Sequence, residues 1–150
     1  MRARDRYHQA IRAALLNDGW VITHDPYLLE FDGADTSIDF SAEQDSLDPV
    51  LAAERGAARI VVEVTTFTSP SVMVDLEQAF GQYVMLRSWL SRTEPERLLY
   101  LAVDTETALN VFDQEFGRIV AADLQIHLMV VDIVVERIVT WTHIPATDKS

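Results

Sequence analysis

The sequence predicts a mixed α/β fold in which helices flank a central sheet. Residues 5–18 place apolar side chains at helical spacing, residues 35–42 alternate between polar and apolar side chains, and residues 59–66 contain a short apolar run that Glu63 interrupts. Helical spacing is typical of an amphipathic helix, whereas alternation and short apolar runs are typical of strands. With 150 residues, the chain is expected to form one domain over residues 1–150.

The first half of the chain is predicted to contain one helix and several short strands. The helix over residues 5–18 ends at a stop signal centred on Gly19. Short extended stretches follow on both sides of Pro26, and the Asp-Gly pair at residues 32–33 predicts a turn. Residues 44–57 predict a loop that contains a helical turn.

A long helix is predicted after the apolar strand. It begins after Ser71, whose hydroxyl can accept an otherwise unpaired backbone N–H, and it runs to about Trp89 or beyond. Its core-facing stripe has helical spacing and consists of Val72, Leu76, Ala79, Phe80, Tyr83 and Leu90.

The last third of the chain predicts one more strand, two helical segments and a terminal hairpin. Residues 97–103 form the strand, residues 104–114 and 117–123 are helical, and the hairpin turns at residues 132–135. The order of elements is that of a sandwich with a central sheet.

The charge balance is strongly acidic, with 12 basic and 24 acidic residues and a formal net charge of −12. Such a surface repels a polyanion, which disfavours unaided DNA binding. Eleven basic residues are arginine, and the only lysine is Lys149. An internal active site therefore has no lysine within this sequence.

The chain also lacks cysteine, an apolar signal segment and a membrane-length apolar run, so we expect a cytoplasmic protein.

Two carboxylates are predicted to meet on one face of the sheet. In the strand over residues 59–66, Glu63 and Thr65 lie on the face opposite Val62 and Val64, because side chains alternate along a strand.

The strand over residues 35–42 supplies the second acid. If Ile38 and Phe40 share one face, Asp39 lies on the other, and pairing of the two strands brings it within about 5 Å of Glu63 at Cβ. Adjacent carboxylates repel each other unless a cation or proton lies between them. The pair therefore predicts a site for Mg²⁺ or Mn²⁺.

Metal-dependent phosphodiesterases need such oxygen ligands and a nearby amine. The usual sequence motif is an Asp, followed after a variable number of residues by a Glu or Asp, with a Lys two positions after that second acid. Here Thr65 takes the last position. Loss of one positioned charged or proton-transferring group typically lowers the rate by about 10²- to 10⁴-fold. Arg12 and Arg59 are candidates to replace it, although Arg59 lies about 13 Å along the strand from Glu63.

The sequence resembles the XisH family, whose members are controlling factors for excision of the fdxN DNA element. The resemblance covers nearly the whole chain and rests on the segments MRARDRYHQAIRAALLNDGWVITHDP, SIDFSAE, LAAERG, VVEVTTF, LEQAFGQY and EPERLLYLAV. It implies a restriction-endonuclease-like, PD-(D/E)XK fold with a central mixed sheet flanked by helices. It also implies an XisI-like protein partner.

The resemblance assigns site residues by position. Asp39 and Glu63 match the acids of the motif, Thr65 stands in place of the lysine, and Gln82 begins a Gln-three residues-Tyr motif in which Leu86 replaces the tyrosine. Both departures weaken the case for catalysis. The same assignment makes Asp39 and Glu63 the metal ligands.

The leading interpretation is a controlling factor with an impaired nuclease-like site that acts through a protein partner and contacts DNA weakly or through the complex. The alternative is an active metal-dependent endonuclease. The acids can also be ordinary solvated carboxylates, and His8 can face the site or pack elsewhere. Met85, Trp89 and Trp141 are candidates for a partner-binding face. The sequence leaves open whether the protein forms a homo-oligomer.

Overall fold

The computed structural model of the chain describes residues 3–44 and 58–142, and residues 45–57, where most of the predicted helical turn falls, lie outside the described part. Its elements follow in the order α1 (Ala3–Asn17), β1 (Val21–His24), β2 (Tyr27–Phe31), β3 (Ala34–Ile38), β4 (Phe40–Gln44), β5 (Ala58–Val64), α2 (Val72–Thr93), β6 (Arg97–Asp104), α3 (Thr105–Thr107), a π-helical segment (Ala108–Phe112), α4 (Glu115–Asp123), β7 (Leu128–Asp132) and β8 (Arg137–Trp141).

A six-stranded sheet forms the centre, with the strand order β1-β4-β5-β6-β7-β8. The three middle strands β5, β6 and β7 are parallel, whereas the outer pairs are antiparallel. Strands β2 and β3 form a separate two-stranded hairpin. This mixed sheet flanked by helices confirms the predicted fold class.

Two apolar layers cover the faces of the sheet. The α2 layer includes Val61 of β5 and Leu101 of β6, together with Tyr83 of α2. The α1 layer includes Ile11 of α1 and Val62 of β5. Strand β5 is thus buried on both faces, and its alternation of side chains agrees with the prediction from the sequence.

Helix α2 begins as predicted. The hydroxyl of Ser71 accepts the backbone N–H of Val74 at 3.2 Å. The predicted stripe is buried from Leu76 onwards, but Val72 is 44% exposed, so its assignment to the core was wrong. Val72 lies in the first turn, before the helix reaches the sheet. Leu86 also belongs to the buried stripe.

The prediction of one continuous strand over residues 35–42 was wrong. Strand β3 ends at Ile38 and pairs with β2, whereas β4 begins at Phe40 and pairs with β1 and β5. The chain changes sheets at Asp39. As a result Ile38 packs in the α2 layer and Phe40 in the α1 layer, on opposite faces instead of the same one. The predicted pairing with the strand that carries Glu63 is confirmed for β4.

The tryptophans proposed for a partner-binding face pack against the core. The ring of Trp89 stacks on Phe31 with centroids 6.1 Å apart, and Trp141 contacts Trp20 and Tyr100. Met85 is 40% exposed. Of the three candidates for a partner-binding face, Met85 is therefore exposed and the two tryptophans are partly buried. Within the described residues, no helix combines the length and apolar character that a bilayer crossing requires.

Gly117 of α4 and Gly81 of α2 make a matched test of this packing. A Cβ at Gly117 would collide with the backbone oxygen of Val111, whereas one at Gly81 would meet nothing within 4 Å. We expect Gly117→Ala to lower the free energy of unfolding by about 1–3 kcal/mol. Gly81→Ala should raise it by about 0.5–1 kcal/mol, because alanine favours helix. Urea denaturation measures both changes, and equal effects of the two substitutions would contradict the described packing of α4.

Candidate functional site

Asp39 and Glu63 lie side by side, and each carboxylate accepts a hydrogen bond from the backbone of the other residue's segment. The backbone N–H of Asp39 donates to Glu63 Oε1 at 3.3 Å, and the backbone N–H of Val64 donates to Asp39 Oδ2 at 2.9 Å. Glu63 is 7% exposed, and the Asp39 side chain is 12% exposed. The structure thus brings together the two acids that the sequence predicts.

Gln82 joins the pair from helix α2. Its side-chain amide donates to Glu63 Oε2 at 2.8 Å. Leu86, which occupies the tyrosine position of the family motif, lies one turn further along α2 and is buried in the core. Of that two-residue motif, only Gln82 therefore contacts the acidic pair.

Thr65 follows directly after β5 and is anchored through its backbone. Its N–H donates to the carbonyl oxygen of Ala102 at 3.1 Å, which continues the contact between β5 and β6. Its partly buried side chain lines a cavity that Glu63 and Gln82 also line. The residue in the lysine position is therefore well placed, but it brings a neutral hydroxyl.

His8 of α1 faces the acidic pair. Its Nδ1 lies 3.3 Å from Asp39 Oδ1, and its Nε2 lies 3.1 Å from Asp25 Oδ1. The ring also packs on Phe40, with centroids 4.3 Å apart. The imidazole of His8 thus lies between two carboxylates, one from the turn before Pro26 and one from the acidic pair.

The two arginines considered as substitutes for the lysine are engaged elsewhere. Arg59 lies near the opposite end of β5 from Glu63, with Nε 3.9 Å from Glu43 Oε2 and Nη1 3.8 Å from Glu96 Oε1. Arg12 Nε lies 3.1 Å from Asp25 Oδ2 and so reaches the site only through Asp25 and His8.

The contacts of the acidic pair define what a metal ion bound there would displace. Both oxygens of Glu63 accept hydrogen bonds from protein donors, and both oxygens of Asp39 contact protein nitrogens. Among the residues that the structure describes, no group of three acidic, histidine or cysteine side chains is placed to hold a metal. A hard divalent cation usually takes six or more oxygen ligands. Here it would compete with these contacts and would depend on water for most of its ligands.

A cavity of about 220 Å³ adjoins the pair on the side of α2. Its polar lining consists of Glu63, Thr65, Thr66, Asp75, Gln78 and Gln82. The sequence analysis missed Asp75 and Gln78 as site residues. Their spacing with Gln82 places all three on one helical face, and that spacing was a usable signal.

No comparable local signal marks Asp25, which the sequence analysis also missed. Its contacts with His8 and Arg12 join the turn before Pro26 to helix α1, so they depend on tertiary structure.

Comparisons with known proteins agree with this architecture. The family model described as XisH protein matches residues 1–139. The chain is 32% identical to an XisH family protein from Nostoc punctiforme, with a TM-score of 0.81 over 93% of this chain and 100% of that one. It is 31% identical to an fdxN element excision controlling factor protein from Anabaena variabilis, with the same TM-score and the same coverage. No protein of curated function matches the sequence. The chain belongs to the XisH family.

Proposed function

We propose that the protein is an accessory factor for DNA element excision, that its nuclease-like site does not cut DNA, and that it acts by binding a protein partner. The observation that carries the proposal is the state of the acidic pair. Asp39 and Glu63 are held by backbone N–H groups, by the Gln82 amide and by His8, while a neutral residue occupies position 65.

The contacts of the carboxylates favour a structural role. A catalytic pair must leave oxygen lone pairs for a metal ion and a scissile phosphate. Here Glu63 Oε1 and Asp39 Oδ2 each accept a backbone N–H, which occupies one of the two lone pairs on each of these oxygens. A buried donor that loses its acceptor costs about 1–3 kcal/mol, so these contacts resist displacement by a weakly held ion.

The surface charge favours a protein partner over direct work on DNA. The chain carries a formal net charge of −12, which repels the phosphate backbone. The Anabaena variabilis relative is described as an excision controlling factor. An XisI-like protein is the partner that the family resemblance implies, and a basic surface on that partner would offset the acidic charge of this chain.

The first test is cleavage of supercoiled plasmid DNA with Mg²⁺ or Mn²⁺. We expect no nicking by the purified protein, because Thr65 supplies neither a proton-transferring amine nor a positive charge. Thr65→Lys places an ammonium beside the pair and should raise nicking above background, whereas the matched variant Thr68→Lys, at an exposed residue outside the cavity lining, should not. Nicking by the unmodified protein that Glu63→Ala abolishes would establish the alternative, an active endonuclease.

The second test is calorimetric titration with Mn²⁺ at low salt. We propose that any ion at Asp39 and Glu63 binds no more tightly than about 1 mM, since only two charged ligands are present and both are already hydrogen-bonded. Micromolar binding that Asp39→Asn removes would contradict this. Asp35→Asn is the matched control, because Asp35 is an exposed residue of the neighbouring strand β3.

The third test addresses the accessory role itself. In a cell that carries an excisable element and its recombinase, we expect the frequency of excision to fall about tenfold or more when this protein is absent. That factor is the typical size of the effect that one bound component has on the affinity of another. Excision that is unchanged without the protein would overturn the proposed function.

A further inference from the structure

We propose that the cavity beside Thr65 receives a basic side chain of the partner protein, with arginine as the best fit. The inference deepens the proposed function and rests on it, because it names the partner chemistry that the same site would recognise. It starts from the lining of the cavity. Two carboxylates, two amides and two hydroxyls face it, and no lysine, arginine or histidine does so among the described residues.

The helix side of the cavity has spare hydrogen-bond acceptors. Asp75 Oδ2 accepts the backbone N–H of Ser69 at 3.1 Å, and within the described residues no hydrogen bond engages its other oxygen. The side-chain amide of Gln78 has no hydrogen-bond partner in the same part of the chain. A ligand that donates several hydrogen bonds can therefore be satisfied here without breaking the contacts of Glu63.

Size and charge narrow the class of ligand. The volume of about 220 Å³ is smaller than the roughly 300–1,000 Å³ of typical small-molecule sites. A phosphate or nucleotide would meet two carboxylates and no cation, so it is repelled. The cavity suits one long cationic side chain.

The exposed apolar start of α2 favours a protein as the source of that cation. Val72, Met73 and Val74 precede Asp75 in the first turn of α2 and are 44%, 51% and 45% exposed. A free ion makes no apolar contact with these residues, whereas a protein surface that covers them can bring an arginine to the cavity beside Asp75, with its aliphatic stem on apolar surface and its guanidinium directed inward. The planar guanidinium has five donors in a fixed arrangement that matches carboxylate oxygens. Arginine is also enriched at protein interfaces.

Nuclear magnetic resonance titration of the ¹⁵N-labelled protein tests the inference. The probe is N-acetyl-arginine amide, and the control is N-acetyl-citrulline amide, which has nearly the same shape without the charge. We expect saturable shifts at the Gln78 side-chain amide and at the backbone N–H groups of Thr65 and Thr66, with citrulline binding about tenfold more weakly or worse.

Matched variants distinguish binding of arginine in the cavity from nonspecific attraction of a cation to the acidic surface. Asp75→Asn should weaken the arginine probe about tenfold, and Gln78→Glu should tighten it several-fold. Glu77→Gln removes the same charge from an exposed neighbour outside the cavity lining and should change nothing. The Gln78→Glu variant keeps the test decisive if Asp75→Asn disturbs the start of α2.

Three results would overturn the inference: equal binding of citrulline, equal loss in Glu77→Gln and Asp75→Asn, or Mg²⁺ that produces the same shifts and displaces the arginine probe. The last result would make the cavity a divalent-ion site. If the arginine probe does not bind, this inference is wrong, but the proposed accessory role is still tested separately by the excision assay. If the protein binds the probe and also cuts DNA, the proposed function is wrong and this inference stands.

Discussion

The structure depends on the exchange of hydrogen bonds between Asp39 and strand β5. At Asp39 the chain leaves the β2–β3 hairpin and enters the central sheet, and Asp39 itself belongs to neither β3 nor β4. Glu63 accepts the N–H of Asp39, and the Asp39 carboxylate accepts the N–H of Val64 at the end of β5. Because an unpaired buried polar group costs about 1–3 kcal/mol, these two acids stabilise the crossing from one sheet to the other.

This arrangement explains how helices on opposite faces of the sheet meet at one point. His8 brings α1 to Asp39, and Gln82 brings α2 to Glu63. The acids therefore lie where both helical layers and two strands converge. A substitution of either acid by alanine would disturb folding as well as any chemistry, so changes in activity at these positions are informative only when the fold is measured in parallel.

Much of the fold was predictable because its signals are local. The alternation in β5 assigns Val61 and Val62 to opposite layers, and the hydroxyl of Ser71 marks the start of α2. The break at Asp39 was not predictable in the same way, since the polar and apolar alternation continues through it while the chain changes sheets.

The residues of the candidate site were likewise predictable only where their sequence signals are local. Asp39 and Glu63 were identified from strand geometry and from the family pattern, whereas the contact of Asp25 with His8 joins residues from separate elements and leaves no periodic trace. Spacing on α2 relates Asp75 and Gln78 to Gln82, but their shared cavity exists only once the helix packs beside β5. Local periodicity thus identifies a face, and tertiary packing decides what that face surrounds.

The contacts of the acidic pair also explain why a neutral residue is tolerated at position 65. Two carboxylates at close range need compensating positive charge or hydrogen-bond donors. In this chain two backbone N–H groups, the Gln82 amide and His8 meet that need from within the protein. Thr65 contributes its backbone N–H to the carbonyl oxygen of Ala102, a contact that does not depend on the side chain at position 65. The geometry of the pair then stabilises the fold, and the lining of the adjacent cavity includes no lysine, arginine or histidine from the described part of the chain.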